Sequence, residues 1–583
     1  MLIASKKKIF TTLSLLTVIS ISSWLLAKPD FTDAQKQTQS YIISAQQYDL
    51  LKEKVAALNV TPSHELKIIN ALAVELTTEQ LAQLQQQLDV KVTTNHTVEL
   101  SAKGRAKRKS RPPAVINDLI AATPVQQQGN YGAGVTVAFL DTGLEYVSGL
   151  IEDKDGWQRF CGFDFCGAYD AITDKFTTYN YSEESGHGTH VASIAVNSER
   201  DANGKLYGIA PDAGLLGIKA FDVEGKATYA DVIRGIGWAV AEKDRFNLRV
   251  LNMSFSGPVR SSYWEDPLNQ AVMKAWSEGI VVVASSGNLG STPMTVGVPG
   301  NVPYIITVGA MTDNYTPYDL SDDRLADFSS AGPTVEGFVK PDLIAPGGHI
   351  AGLMSNQAQI ARDYPEYKIG GRYFEMSGTS QATAVVSGVA ALMLAENPAL
   401  TPDDVKCRLM STAQAAVNSD GSLAYSVFQQ GAGLIQALDA VNSTASGCAN
   451  QGMDVALDAA GMQHYQGPAS VDADKNFTIE GQANDYAQFT DEAVIADKQV
   501  NWQGDVATDI VIWKTSLVEM ADNNYSMLGI NMPVQDKSPL QSFFETDIVI
   551  WKTSVETDIV IWKTSLDFDA SETISVNNWV EQQ

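Results

Sequence analysis

Four cysteines, six histidines and only 41 basic residues against 68 acidic ones are what this 583-residue chain has in short supply. Each scarcity excludes something. No two cysteines are spaced as CxxC, so a zinc ribbon or finger is not expected. A formal net charge of −27 argues against nucleic acid or an anionic membrane as the main partner. Beyond the first 27 residues no apolar run is long enough to cross a bilayer, so no stable membrane insertion is expected there. No G-x-S-x-G elbow occurs, which counts against an esterase or lipase of the α/β-hydrolase class. No EF-hand loop is present either.

What is present falls into four stretches. Residues 1–27 read as a signal peptide: Lys6, Lys7 and Lys8, a largely apolar run, then Ala27 as a cleavage point. An uncleaved anchor is the alternative, since the run nears spanning length. Export makes a secreted protein, in the medium or the cell envelope. It also allows disulfides, and Cys161 with Cys166 and Cys407 with Cys448 would join near neighbours.

Residues 28–113 read as a small α+β unit and a linker. A strand is expected over 66–74, a helix over 77–88 with Thr77 or Thr78 as N-cap, and a second strand over 90–93. The linker KGRAKRKSRPP (103–113) is basic, ends in two prolines and is open to cleavage.

Over 114–446 short apolar runs alternate with helical stretches. The runs at 135–141, 215–222, 250–255, 280–285 and 305–310 are apolar on both faces, as strands buried in a parallel sheet are. The fold class is therefore α/β, a parallel sheet flanked by helices, with sites at the carboxyl ends of strands.

The extension 447–583 is acidic, with 22 Asp and Glu against six Lys and no Arg. It carries TDIVIWKTS at 508–516, 546–554 and 557–565. Each copy reads as a strand. The copies would form a small β module, or they are a duplication without function. Left at an edge, such strands are an aggregation hazard.

Acyl transfer to water needs a nucleophile, a base, a group that orients the base, and donors for the oxyanion. Asp141 ends an apolar run and precedes Thr142-Gly143. His187 and His190 lie in SGHGTHVASIAV, where a helix begins. Ser380 opens a long helix of small and apolar residues, where the helix dipole favours a developing anion. Asn288 follows IVVVASSG at a neighbouring strand end. Taken singly, each also fits a plainer role: a turn Asp or Asn, a helix N-cap. A metal held by His187 and His190 would need a third ligand, and none stands nearby.

Together these segments resemble the subtilases. DTG, GHGTHVA, GIAP (208–211), NMSF (252–255), SSGN (285–288), VGVPG (296–300), FSSAGP (328–333), KPDLIAPG (340–347) and SGTSQAT (377–383) follow one another in that family's order. The resemblance implies a serine endopeptidase in which Asp141 orients the imidazole, His187 is the general base and Ser380 is the nucleophile. The Asn288 amide and the Ser380 N–H would form the oxyanion hole. Ser254, Phe255 and Ser256 would pair with substrate by β-addition. Ser285, Ser286, Gly287 and Gly297 would line the pocket for the residue before the scissile bond. Because Gly297 has no side chain, a large apolar or aromatic residue is expected there. His190 is expected to be structural.

The family also implies that 28–100 is a propeptide, a chaperone and inhibitor of its own enzyme, with the maturation cut in or beside the basic linker. Calcium is implied as a structural ion, and the loop SERDANGKLYG (198–208) offers oxygens; no cofactor is needed for the chemistry. Two departures stand out. Gln381 occupies the place of a methionine, removing an oxidisable thioether, and Ala384-Val385 replaces Pro-His. A non-catalytic scaffold and an adhesive surface protein remain as rival readings.

Overall fold

The structure, a computed structural model, describes residues 38–100, 112–471, 477–479 and 530–532, apart from 146, 159, 162–163, 166, 178–182, 317, 319–321 and 419–421. The expected signal peptide, the basic core of the linker, Cys166 and all three repeats lie outside the described residues.

The N-terminal unit is a four-stranded antiparallel sheet in the order His64–Leu66, Ala71–Leu76, Gln39–Ser44, Lys91–Thr94. Two helices, Tyr48–Ala57 and Thr78–Gln87, cover one face. The second starts where expected: Thr77 Oγ1 accepts from Gln80 N, and the Gln80 side chain accepts from Thr77 N. This reciprocal capping box satisfies two orphan donors. The strand read over 66–74 is in fact broken by a turn at Lys67–Ile69, closed by left-handed Asn70. Period-two alternation then divides the side chains. Ile43, Leu72, Val74 and Leu76 face the helices. Ile42, Ala71 and Ala73 join the core of the large domain. The unit is thus docked through its second sheet face.

The large domain is built on a nine-stranded sheet. Its parallel centre runs Ala168–Asp170, Gly214–Lys219, Thr136–Asp141, Leu248–Met253, Val281–Ser285, Ile306–Thr312, with Leu343–Pro346 pairing the last. Antiparallel strands Lys175–Thr177 and Arg324–Leu325 add to the ends. Every residue of Val281–Ser285 is buried, as a strand covered on both faces demands. Helix Thr379–Glu396 passes through the core and is buried all round from Thr379 to Leu394. Its small and apolar residues let it lie directly against the helix His187–Val196 and the sheet.

The boundary drawn at 446 does not mark where packing ends. Cys407 and Cys448 are joined by a disulfide with their Cα atoms 5.1 Å apart. Helix Val455–Ala459 then inserts Asp458 into the large domain. Its carboxylate accepts from Tyr263 Oη at 2.6 Å and Tyr304 Oη at 2.8 Å, and faces His464 Nδ1 at 2.7 Å. A buried carboxylate with three donors is a satisfied one, so residues 448–466 are part of the folded body.

Beside this cluster Glu336 is sealed from water. Its Oε1 accepts from Tyr263 N at 2.9 Å, while Oε2 has no partner. Burial, with Asp458 adding to it, pushes the Glu336 carboxyl up to about 7. A carboxyl raised on folding favours the fold at pH values below its unfolded value. That advantage is lost as pH rises through the folded value. Glu336→Gln, made in a Ser380→Ala background to prevent self-digestion, is therefore expected to raise Tm at pH 8 and change it little at pH 5. Equal shifts at both pH values would show that Glu336 does not titrate in this range.

Candidate active site

Asp141 is the last residue of a central strand and is fully buried. Its Oδ1 accepts from Thr142 N at 2.8 Å and faces His187 Nδ1 at 2.7 Å. His187 is the first residue of the helix His187–Val196. A carboxylate can only accept, so this partner puts the imidazole proton on Nδ1 and leaves Nε2 as the base. The pair can approach because Gly188 has no side chain. A Cβ there would fall 2.1 Å from the Gly143 carbonyl oxygen and 3.2 Å from Asp141 Oδ1.

Ser380 lies in the first turn of the nucleophile helix, where backbone N–H groups have no intrahelical acceptor. Its Oγ donates to the Ser254 carbonyl at 2.9 Å, and Ser254 Oγ donates back to the Ser380 carbonyl at 3.0 Å. Behind them Asn252 Nδ2 donates to Ser254 Oγ at 2.8 Å, and Ser387 Oγ donates to Asn252 Oδ1 at 2.9 Å. His187 Nε2 is buried and has no hydrogen-bond partner. In this state the acid–base pair is formed while the serine hydroxyl is turned onto a backbone carbonyl.

Asn288 stands at the end of the turn that follows Val281–Ser285. Its Oδ1 accepts from Thr379 N at 3.0 Å and from Thr379 Oγ1 at 2.8 Å. Two donors on one atom fix the orientation of the amide, so Nδ2 is the end left for a ligand.

The groove residues divide. Ser254 and Ser256 flank the site, whereas the Phe255 ring is buried against Phe221, 5.0 Å between centroids, so only its backbone can meet a ligand. Ser285 is buried and donates to the Phe255 carbonyl at 2.8 Å, fastening two strands together. Ser286 Oγ is buried without a partner. The direction in which a Gly297 side chain would point is filled by Ser256 and the Gly257 carbonyl. A Cβ on Gly297 would fall 2.2 Å from Ser256 Oγ, and one on Gly287 would fall 2.9 Å from the same atom. The Ser256 hydroxyl sits between the two glycines.

The groove is occupied by the chain itself. Strand Thr97–Leu100 lies between Lys226–Thr228 and Phe255–Ser256, antiparallel to both. Leu100 is paired with Phe255 and Glu99 with Ser256, so the strand runs toward Ser254 and the nucleophile. Further ties come from Asn95 Oδ1, which accepts from Ala230 N at 2.9 Å, and from His64 Nε2, 2.9 Å from Asp231 Oδ1. Asp231 closes a capping box with Thr228, and Asp222 accepts from backbone amides in the neighbouring turn. Both acids therefore shape the groove rim.

His190 is structural in its surroundings. Its Nε2 meets the Phe374 carbonyl at 3.0 Å, and burial drives the ring down to about 3, which keeps it neutral. In the loop 198–208, offered for calcium, the one buried acid is Asp201. The Asp201 carboxylate is taken up by the amides of Ala114, Asn203 and Lys205. Among the described residues no group of three or more His, Cys, Asp or Glu could hold a metal. Three features escaped the sequence reading: the strand at Thr97–Leu100, the Ser387–Asn252–Ser254 chain behind the nucleophile, and Glu183, a buried acid beside the Asp–His pair. The acid four residues before His187 is the one visible signal.

A strand-end Asp–His pair, a helix-start serine and a fixed amide on a parallel sheet define a subtilisin-like serine endopeptidase. The subtilase family model matches residues 132–433. The chain is 41% identical over 280 residues to serine protease AprX of Bacillus subtilis, covering 47% of this chain and 60% of that protein. It is 32% identical over 403 residues to subtilisin E of Bacillus subtilis, covering 69% of this chain and 87% of that protein. Fervidolysin from Fervidobacterium pennivorans, described as a keratinolytic enzyme related to subtilisin, has the same fold. The TM-score is 0.53 at 22% identity, over 70% of this chain and 62% of that one. The chain belongs to the subtilase family.

Proposed function

We propose that this chain is exported as a precursor and matures into an endopeptidase that cuts proteins through an acyl-enzyme on Ser380. The observation that supports the reading is the His187–Asp141 hydrogen bond at a strand end, together with the Asn288 amide fixed by Thr379, the residue before Ser380. In the forward reaction a substrate strand takes the place of Thr97–Leu100 and offers an N–H to the Ser254 carbonyl. Ser380 Oγ, released from that carbonyl, gives its proton to His187 Nε2 as it attacks the scissile carbonyl carbon. Asp141 stabilises the imidazolium. The oxyanion is held by the Ser380 N–H and Asn288 Nδ2. His187 then returns the proton to the leaving amine, and water repeats the steps in reverse order of bonds to free the acid. No step needs a metal or a cofactor.

The test is labelling of the purified protein with a fluorophosphonate probe and mapping of the modified peptide. Label on Ser380, lost in Ser380→Ala, is expected. An unlabelled, folded and processed protein would leave a scaffold without chemistry.

Residues 38–100 act as an inhibitory propeptide on this reading, supported by the strand they lay in the groove. Export is supported by the N-terminal sequence. Among the described residues no helix is long and apolar enough to cross a membrane.

The preference for a large apolar residue before the scissile bond, expected from Gly297, is narrowed by Ser256. Its hydroxyl would meet an aromatic side chain entering between Gly287 and Gly297. Ser256→Gly should raise kcat/KM for a phenylalanyl anilide relative to an alanyl one by about tenfold, the scale of a small steric change in an apolar pocket. An unchanged ratio would place the pocket elsewhere.

A further inference from the structure

We infer that Glu183 is a positioning residue of the triad: its carboxylate ties the turn that carries Asp141 to the helix start that carries His187. The inference rests on the endopeptidase reading above and assigns a residue that the catalytic motifs do not contain.

The geometry is as follows. Glu183 Oε1 accepts from Thr142 Oγ1 at 2.7 Å and from Gly186 N at 2.5 Å, and Oε2 accepts from Thr189 Oγ1 at 2.8 Å. Thr142 follows Asp141 directly. Gly186 precedes His187 directly, and Thr189 is two residues beyond it. The two hydroxyls extend the ties. Thr142 Oγ1 accepts from Gly188 N at 3.0 Å, and Thr189 Oγ1 accepts from Glu145 N at 2.8 Å. One acid therefore holds both ends of the Asp141–His187 hydrogen bond.

A hydroxyl at 183 would not do the same, and an amide would keep the two contacts of Oε1 but lose the one of Oε2. Each threonine oxygen already receives a backbone N–H, so its own proton needs an acceptor, and Gly186 N needs one as well. Three donors converge on a group that only accepts. Glu183 is only 6% exposed, so in the native chain these three donors are served by the carboxylate and not by bulk water. Burial pushes its carboxyl up, and the three donors oppose that push. Removing the side chain would take the acceptor from Gly186 N and Thr189 Oγ1, leave Thr142 Oγ1 only its 3.3 Å contact with Asp141 Oδ1, and free the Asp141 turn to move against the helix start. Displacements of about 1 Å at reacting groups cost on the order of 10²-fold in rate.

The test compares Glu183→Ala, Glu183→Gln and Thr189→Val in the full chain. The readouts are kcat and KM on a peptide anilide, Tm in a Ser380→Ala background, and the low-field NMR proton of His187 Nδ1–H. Glu183→Ala is expected to lower kcat about 10²-fold with KM nearly unchanged, and to shift or broaden the low-field proton. Glu183→Gln should recover most of the rate, because its Oε1 can still accept from Thr142 and Gly186. Thr189→Val cuts the Oε2 tie and the Glu145 N contact but leaves both Oε1 ties, and should lose less than Glu183→Ala. It keeps the inference open to test if the alanine variant fails to mature. Wild-type kcat in Glu183→Ala, or a lowered Tm with an unmoved proton and unchanged kcat, would overturn the inference while leaving the endopeptidase reading intact. A wild-type protein that takes no label at Ser380 would remove both.

Discussion

Asn288→Leu is expected to lower kcat by about 10²–10³-fold and to leave KM almost where it was, a magnitude carried over from loss of the corresponding amide in subtilisin itself. The reason lies in how the amide is held. Thr379 N and Thr379 Oγ1 both donate to Asn288 Oδ1, so the opposite end of the amide presents N–H to the groove before any substrate arrives. A donor fixed in advance costs no reorganisation when charge appears on the carbonyl oxygen, and it gains most in the transition state. Leucine keeps the bulk and loses the donor. It also strands Thr379 N, so Asn288→Asp is the companion variant: it keeps the acceptor for Thr379 and places a negative oxygen where the oxyanion forms. Both should also slow fluorophosphonate labelling, since the phosphonyl oxygen makes the same demand. A loss below tenfold in both would remove Asn288 from the oxyanion hole, and the Ser380 N–H would have to act with some other donor.

The parts of this site that sequence alone made legible are those written in local pattern. An apolar run ending in Asp141, a histidine between glycines at a helix start, and a serine opening a helix of small residues each describe backbone and side chain within a few positions. The buried parallel strands were legible for the same reason, because burial on both faces leaves continuous apolar runs. What stayed hidden depends on residues far apart in the chain. Ser256, Gly287 and Gly297 meet only when two strands and a later loop come together, so the Ser256 hydroxyl beside both glycines is not visible in any local stretch of sequence. The rotation of Ser380 Oγ onto Ser254 depends on a contact spanning 126 residues. Residues 448–466 were read with the acidic extension by composition. Composition does not reveal that Asp458 is matched by Tyr263, Tyr304 and His464. Strand Thr97–Leu100 is four residues long, too short for its alternation to stand out, and its partners lie more than a hundred positions away.

That short strand underlies the other large effect. A chain beginning at Ala114 is expected to yield almost no active enzyme on refolding, and addition of residues 28–100 as a separate polypeptide should restore it. The large domain is joined through parallel pairings between strands distant in sequence, such as Thr136–Asp141 with Gly214–Lys219 and Leu248–Met253. Closing such loops precedes the contacts that reward them, which makes assembly slow. The N-terminal unit has its own apolar core and capped helix, so it can form from local contacts first. It then presents Ala71 and Ala73 to the main core, caps the helix Tyr229–Phe246 through Asn95 and His96, and adds Thr97–Leu100 between Lys226–Thr228 and Phe255–Ser256. Those two short segments are not paired with each other, and the inserted strand joins them. The same contacts predict that the added polypeptide inhibits the mature enzyme until it is digested. Refolding yield and inhibition should weaken together when Val98, buried against Gly257, is replaced by aspartate. Efficient unaided refolding of the shortened chain would show that the inserted strand blocks the groove without helping to build it.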